Sequence, residues 1–414
     1  MAAKRRKPHP IEALLETVTQ RTEPRCRHFG TCGGCDLQHL PYEAQPPLKQ
    51  RLIETALAAE GVEAEVAPTV PASDPWRYRN KIEATFDTRD GELVLGFGPK
   101  GRWYERFDLL ECPIAPDWMV QAVEIARRWA RGEGVPAYDQ RRREGFLRYL
   151  VLREGRTTDY RIINLVTNAG HWDLYRFKDA LEEVDFSGVL RTLHTGLGAA
   201  VRFERVEVLS GRPEFSERVA GLNLTLSLDS FFQTNTLMAE RMYEYVRELA
   251  REGPHASPHP SPPRQRGEGA ARVGRVLDLY CGVGSIGLLL APEAESVTGV
   301  EEVEPAVERA RANAALNRAA NTEFICARAE KFAVEAGRYD LAVLDPPRAG
   351  CSKRVLRHLA EAGVPRMIYV SCSPQALARD LAYLGEHYAI GRVQPFDLFP
   401  QTRHVEAVVE ATRR

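Results

Sequence analysis

From Arg275 onwards the sequence alternates strand-like apolar runs with amphipathic stretches, and this alternation constrains the fold more than any other feature. VLDLY, SVTGVE, TEFICAR, YDLAVLD and RMIYVSC read as strands. SIGLLLAP, EPAVERARANAALN and KRVLRHLAE read as helices. Strand–helix–strand rhythm of this kind makes a parallel sheet with helices on both faces, so the fold class is α/β. Ligands on such sheets bind beyond the carboxyl ends of the strands. The chemistry is therefore expected just after VLDLY, TGVE, VLD and YVSC.

The chain upstream has a different texture. Residues 1–25 read as a basic, polar tail, and residues 26–35 hold the cluster CRHFGTCGGC. Residues 44–60 have helical periodicity, ended by Gly61. From Trp76 to Ser227, runs such as KIEATFDT, ELVLGFG, FLRYLVLRE, DYRIINLVT and LNLTLSL predict a largely antiparallel, β-rich domain with one helix near 115–131. A helix follows Asp229 to about Glu252. Residues 253–272, rich in Pro, Ser, Gly and Arg, read as a flexible insert. A length of 414 residues suits two or three domains.

Charge excludes a global basic field: 56 Lys and Arg stand against 57 Asp and Glu, a net charge of −1, so nucleic-acid binding has to come from local patches. No apolar run is long enough to span a membrane, and no apolar core follows the basic N-terminus as a secretory signal requires. A cytoplasmic, reducing location is expected. There the eight cysteines point to metal or catalysis rather than disulfides.

The first strand of the C-terminal half runs into Asp278-Leu-Tyr-Cys-Gly282-Val-Gly284-Ser-Ile-Gly287. A G-x-G-x-x-G alone is a weak signal. Here a strand precedes it, a helix follows, and Glu301 ends the next strand, where an acid can accept from both ribose hydroxyls. The ligand is NAD or S-adenosylmethionine (SAM). Asp345, followed by two prolines at a strand end, is poised to bind a polar ligand; its plain alternative is a helix cap. Cys372 lies at another strand end before a helix, whose N-terminus is expected to lower the thiol pKa. Its plain alternative is a small buried hydrophobe, the reading kept for Cys281, Cys326 and Cys351. Gln401 to Val409 reads as a strand, with Glu406 interrupting its apolar run. A buried acid of that kind is paired, protonated or functional.

Cys26-x5-Cys32-x2-Cys35, with Cys112 further on, supplies the four thiolates of a [4Fe–4S] cluster or a structural zinc. The x5 gap and the lone distal cysteine suit iron–sulfur better than zinc. Arg77-Tyr-Arg79-Asn-Lys81 and Lys100-Gly-Arg102-Trp103-Tyr104 mix cations with aromatics, as single-stranded RNA contact requires. Arg141-Arg142-Arg143 reads equally well as a solvated surface.

The pieces Phe231-Phe-Gln233-Thr-Asn, LDLYCGVGSIG, TGVE, DPPRAG, IYVSCSPQALARD and QTRHVE occur together and in order. In these the chain resembles the bacterial RNA 5-methyluridine methyltransferases (TrmA/RlmC/RlmD type). The cysteine pattern resembles the compact iron–sulfur branch that acts on large-subunit ribosomal RNA and lacks the N-terminal TRAM domain. The resemblance implies a class I methyltransferase domain and a reaction at uracil C5, with Cys372 as nucleophile and Glu406 as general base. It implies SAM contacts from Gln233, Tyr280, Ser285, Glu301, Arg328 and Asp345, with Ser285 and Arg328 departing from the usual residue types. Phe231 would stack near the substrate base, and Cys26, Cys32, Cys35 and Cys112 would hold [4Fe–4S]. The implied domains are interleaved: 26–37 with 76–228 for RNA recognition, and 38–75 with 229–414 for methyl transfer. RNA is the implied partner, with no obligate protein partner. Three rivals stand beside this reading. They are a transfer-RNA substrate, a non-catalytic iron–sulfur RNA-binding protein, and an NAD-dependent oxidoreductase, which would leave Cys372 and Glu406 without roles.

Overall fold

The computed structural model describes residues 10–102, 104–196, 198, 204–252 and 273–414. Residues 1–9 of the tail, Trp103 and the insert 253–272 lie outside them.

Two short N-terminal helices, α1 (Pro10–Leu15) and α2 (Gln45–Ala59), precede the first sheet. That sheet contains β1 (Lys81–Arg89), β2 (Glu92–Phe97), β3 (Phe107–Asp108), β4 (Leu147–Gly155), β5 (Tyr160–Thr167), β6 (Gly188–Leu193) and β7 (Arg205–Gly211). Its order is β3-β2-β1-β4-β5-β6-β7, antiparallel except for β5 with β6. The exception arises because a second helix, α4 (Leu174–Ala180), crosses between those strands. The sequence reading found only α3 (Asp117–Gly132) here. Both helices bury Trp118, Met119, Trp129 and Phe177 against one face of the sheet.

A two-stranded hairpin, β8 (Phe215–Val219) and β9 (Leu222–Leu226), comes next. The expected boundary at 228/229 does not coincide with a break in packing. Phe215, Val219, Leu222, Leu224 and Leu226 pack with Met238, Met242 and Val246 of α5 (Thr236–Glu252) and with the second sheet.

The second sheet is β10 (Val273–Leu279), β11 (Ala294–Glu301), β12 (Thr322–Cys326), β13 (Leu341–Leu344), β14 (Arg366–Ser371), β15 (Tyr388–Ile390), β16 (Gln394–Phe396) and β17 (Glu406–Arg413). The order is β12-β11-β10-β13-β14-β17-β15, and β16 pairs with β17. β10 to β14 run parallel, and β17 returns antiparallel to β14. Alternation along each buried strand sends side chains to opposite faces. Val276, Val343 and Ile368 meet α5, α6 (Ser285–Leu290) and α7 (Glu304–Leu316) on one side. Leu277, Ala342 and Met367 meet α8 (Lys353–Glu361) and α9 (Pro374–Leu384) on the other. Helix α2 joins that second layer: its Leu48, Leu52 and Ile53 share a core with Leu377 and Leu381 of α9. This is a Rossmann-like sheet covered by helices on both faces.

β17 begins at Glu406, so the run from Gln401 is not all strand. Gln401 has φ +69°, which no strand admits. No helix among the described residues is long and apolar enough to cross a membrane.

Candidate active site

A cavity of about 620 Å³ opens beyond the carboxyl ends of the parallel strands. Tyr280 follows β10, Glu301 ends β11, Asp345 follows β13 and Cys372 follows β14, and all four line it. Gln233, Arg328, Phe231 and Glu406 line it too. Ser285 does not. It sits in a small annex with Phe231, Tyr280, Gly282, Asp278 and Asp345. Twelve of the thirteen sequence-nominated residues thus divide into eight in one cavity and four in the cysteine site described below, with Ser285 set apart.

The glycine turn is built by backbone geometry. Gly282 and Gly284 have φ of +54° and +85°, a region that disfavours any Cβ. At Gly287 a Cβ would come within 2.8 Å of Asp278 Oδ2, the oxygen that accepts from Gly287 N at 2.8 Å. Glu301 braces the same turn: Oε2 accepts from Gly282 N at 3.1 Å and Oε1 from Val303 N at 3.0 Å. The same side chain lines the cavity.

Asp345 is not a helix cap. Helix α8 is capped by Ser352, whose hydroxyl accepts from Val355 N. No hydrogen bond reaches the Asp345 carboxyl among the described residues, and burial pushes its pKa up to about 7. Asp278 Oδ1 is likewise buried without a partner. These two carboxyls, both lining the small annex, suit a ligand carrying a cationic or multiply donating group, as SAM does. Arg328 stands at the rim, paired with Glu302 at 3.3 Å. Phe231 is 73 % exposed at the cavity edge.

Cys372 departs from its expected titration. Burial, then the Glu406 and Asp345 carboxyls, push its pKa up to about 11, against Arg348 and a backbone hydrogen bond that lower it. The helix beginning at Pro374 is capped by Ser373, whose hydroxyl accepts from Ala376 N. Glu406 is buried and also raised well above the usual carboxylate range, by burial and by Asp345. A protonated thiol beside a high-pKa carboxyl is the resting state of this pair.

Sequence reasoning missed part of the wall. Arg348 Nη2 and His404 Nδ1 lie 2.6 Å apart beside Glu406. Burial and Arg348 hold His404 down at about 4, so it is neutral and can accept. Tyr78 and Arg79 also line the cavity, but Tyr78 is no free stacking surface. It is buried, and its hydroxyl donates to Pro400 O at 3.0 Å. Asn80 is buried as well, donating to Gln233 O at 2.8 Å. In the Arg77–Lys81 run, Tyr78 and Asn80 thus turn inward to other segments, while Arg77 is exposed and Arg79 lines the cavity. In the other run, Lys100 pairs with Asp36 and Arg102 with Glu105, and Tyr104 is exposed.

Cys26, Cys32, Cys35 and Cys112 line one small pocket with Ile82, Phe97, Leu109 and Ile114. Burial, and then the other three thiols, push Cys35 up to about 12. Among the described residues no three His, Cys, Asp or Glu side chains form a group able to hold a single metal ion. Elsewhere Cys281 and Cys351 are buried, as the plain reading expects, whereas Cys326 is exposed.

Residues 268–414 match the family model described as tRNA (Uracil-5-)-methyltransferase. An RNA methyltransferase of Caldanaerobacter subterraneus is 36% identical over 409 residues, covering 96% of this chain and 86% of its own. One from Clostridium tetani is 34% identical over 98% of this chain and 87% of its own. The chain belongs to the RNA uracil-5-methyltransferase family. It is a SAM-dependent enzyme acting at uracil C5 of RNA, which excludes the oxidoreductase reading. The structure of the Pyrococcus abyssi tRNA (uracil-54, C5)-methyltransferase with S-adenosyl-L-homocysteine is similar to it, at 31% identity and a TM-score of 0.73. That similarity covers 92% of this chain and 86% of the other.

Proposed function

We propose that this methyltransferase forms 5-methyluridine in large-subunit ribosomal RNA in the cytoplasm, with Cys372 as nucleophile and Glu406 as general base. The observation that carries the assignment is the shared cavity, in which one thiol and one buried carboxyl flank the ends of the parallel strands. Uracil C5 is a weak nucleophile. The Cys372 thiol loses its proton to solvent and its sulfur adds to C6, which moves the ring electrons onto C5. SAM, when bound, would supply the electrophilic methyl group that C5 takes, with S-adenosyl-L-homocysteine as the leaving group. Glu406 then takes the C5 proton, and the returning electron pair expels the Cys372 thiolate. Gln233, Tyr280, Glu301, Arg328 and Asp345 hold SAM, with Ser285 contributing from the annex, and Phe231 stacks on a base.

The four cysteines hold a [4Fe–4S] cluster in this reading. Four thiols around one small pocket supply its full ligand set. The cluster pins the N-terminal segment to the β-rich sheet, which serves as the RNA-recognition part. Anaerobically purified protein is then expected to contain iron and sulfide; zinc alone would overturn the cluster.

The cysteine pattern favours ribosomal RNA. The likeness to the Pyrococcus abyssi enzyme favours transfer RNA as the second reading. SAM-dependent tritium release from C5-labelled uridine separates them, with large-subunit, small-subunit and transfer RNA assayed apart. Release from large-subunit RNA alone supports the proposal, and release from transfer RNA alone replaces it. SAM binding without release from any pool would favour the non-catalytic reading.

A further inference from the structure

The segment 397–404 brings Thr402 and His404 to the cavity and runs directly into Glu406. It has no helix or strand of its own, so contacts from elsewhere must set its course. Several of those contacts come from the N-terminal segment, 348 to 367 positions away in sequence; Tyr78, Asn235 and Arg348 add others.

Lys49 and Asp397 form an ion pair in which both side chains are 0% exposed. Lys49 Nζ also donates to Phe399 O at 2.9 Å, and Asp397 Oδ2 accepts from Tyr42 Oη at 3.1 Å. The Gln45 amide grips Gln401 from both sides. Its Nε2 donates to Gln401 Oε1 at 2.9 Å, and its Oε1 accepts from Gln401 N at 2.9 Å. The same Nε2 reaches Leu37 O and Leu40 O, each at 3.2 Å. Gln401 is the residue with φ +69°, a conformation that persists in a side-chain-bearing residue only where its surroundings over-determine it. Asp36 N and Leu37 N both donate to Gln401 O at 3.0 Å, and Arg403 Nε donates to Asp36 Oδ2 at 2.9 Å.

A buried ion pair adds little net stability, because desolvation offsets most of the Coulomb gain. What it adds is a single permitted arrangement. We propose that Lys49 and Gln45 are positioning residues for methyl transfer: they fix the 397–404 loop and so hold His404 and Glu406 at the cavity. The proposal rests on the reading of Glu406 as general base. A misplaced base slows proton removal, which comes after the thiolate has added and the methyl has moved. Its signature is therefore a stalled covalent RNA adduct rather than simple loss of folded enzyme.

The test compares full-length wild type, Lys49→Met, Gln45→Leu and Glu406→Gln with the RNA pool that the wild type methylates. Thermal melting gives the folded fraction, calorimetry the SAM affinity, tritium release the kcat, and denaturing gels the adduct. In Lys49→Met and Gln45→Leu, kcat per folded molecule should fall about 10²-fold, the cost of a misplacement of ~1 Å. SAM affinity should be unchanged and methylated adduct should accumulate. Wild-type kcat per folded molecule in both variants overturns the proposal, as does a fall without adduct when Glu406→Gln does give adduct. A normally active Glu406→Gln overturns the base reading instead, and with it the route through Glu406. Should Lys49→Met not fold, Lys49→Met combined with Asp397→Leu removes both buried charges and is read the same way.

Discussion

Cys372 and Glu406 stand one register step beyond the Ser371–Ala407 pair of the antiparallel β14–β17 ladder, so thiol and carboxyl face one cavity from adjacent strands. One antiparallel return strand in an otherwise parallel region thus brings a nucleophile and a base together from two different stretches of sequence.

This pairing predicts two distinct failures. Cys372→Ala removes the atom that adds to C6, so methylation should be lost while calorimetry still shows SAM binding. Glu406→Gln keeps the shape but cannot take the proton, so a methylated RNA adduct should persist on denaturing gels. An active variant at either position would falsify the corresponding role.

The thiol should be sluggish until the site fills. With its pKa at about 11, Cys372 is almost wholly protonated near neutrality. Alkylation by iodoacetamide in SAM-free protein should therefore rise about tenfold per pH unit from roughly pH 7 to 9, because only the thiolate reacts. Arg348 is the neighbour that lowers this pKa, so Arg348→Ala should slow alkylation further at fixed pH. A rate independent of pH over that range would mean that the thiolate is already formed.

Much of this site is legible locally. Glu301, Asp345 and Cys372 each end or follow a parallel strand, and strand ends can be read from short apolar runs. What the sequence hides is held by contacts between distant segments. Tyr78 reads as an RNA-stacking aromatic beside two arginines, yet its hydroxyl is bound to Pro400 O, 322 positions away. Nothing local marks Lys49 within the 44–60 helix, yet it is wholly buried against Asp397. The rise in the Cys372 pKa has the same origin. The helix that follows is visible in the sequence, but burial and then the opposing Glu406 and Asp345 charges arrive only with the folded sheet.

Stability of the SAM-free protein should fall as pH rises, and Asp278 is one reason. Its carboxyl is buried with Oδ1 unpartnered, and burial lifts its pKa from 3.8 to about 8. Between those values the folded chain holds a proton that the unfolded chain has released. The contribution is complete below 3.8 and is lost as pH rises through about 8. The slope approaches about 1.4 kcal/mol per pH unit for one such group. Melting curves from roughly pH 5.5 to 8.5 should show the decline, and Asp278→Asn should flatten it. Parallel curves for the two proteins would remove Asp278 from the account.

Phe231 should govern RNA affinity. The preceding loop is held by Arg153 of the β-rich sheet, whose Nη1 donates to Ser227 O and Leu228 O at 3.0 Å and to Ser230 O at 2.7 Å. The anchored loop leaves the ring 73 % exposed at the cavity edge, where leaving it bare to water is unfavourable unless a partner covers it. A stacked base is worth about 1–3 kcal/mol, so Phe231→Ala should raise the RNA KM by about 5- to 150-fold, with Phe231→Trp near wild type. The ring also borders the annex beside Ser285, which offers a competing role as a wall of the SAM site. The two roles separate cleanly, because only the second weakens SAM binding in the absence of RNA. A Phe231→Ala protein that binds SAM normally and RNA poorly assigns the ring to the base. One that loses SAM and keeps RNA assigns it to the cofactor.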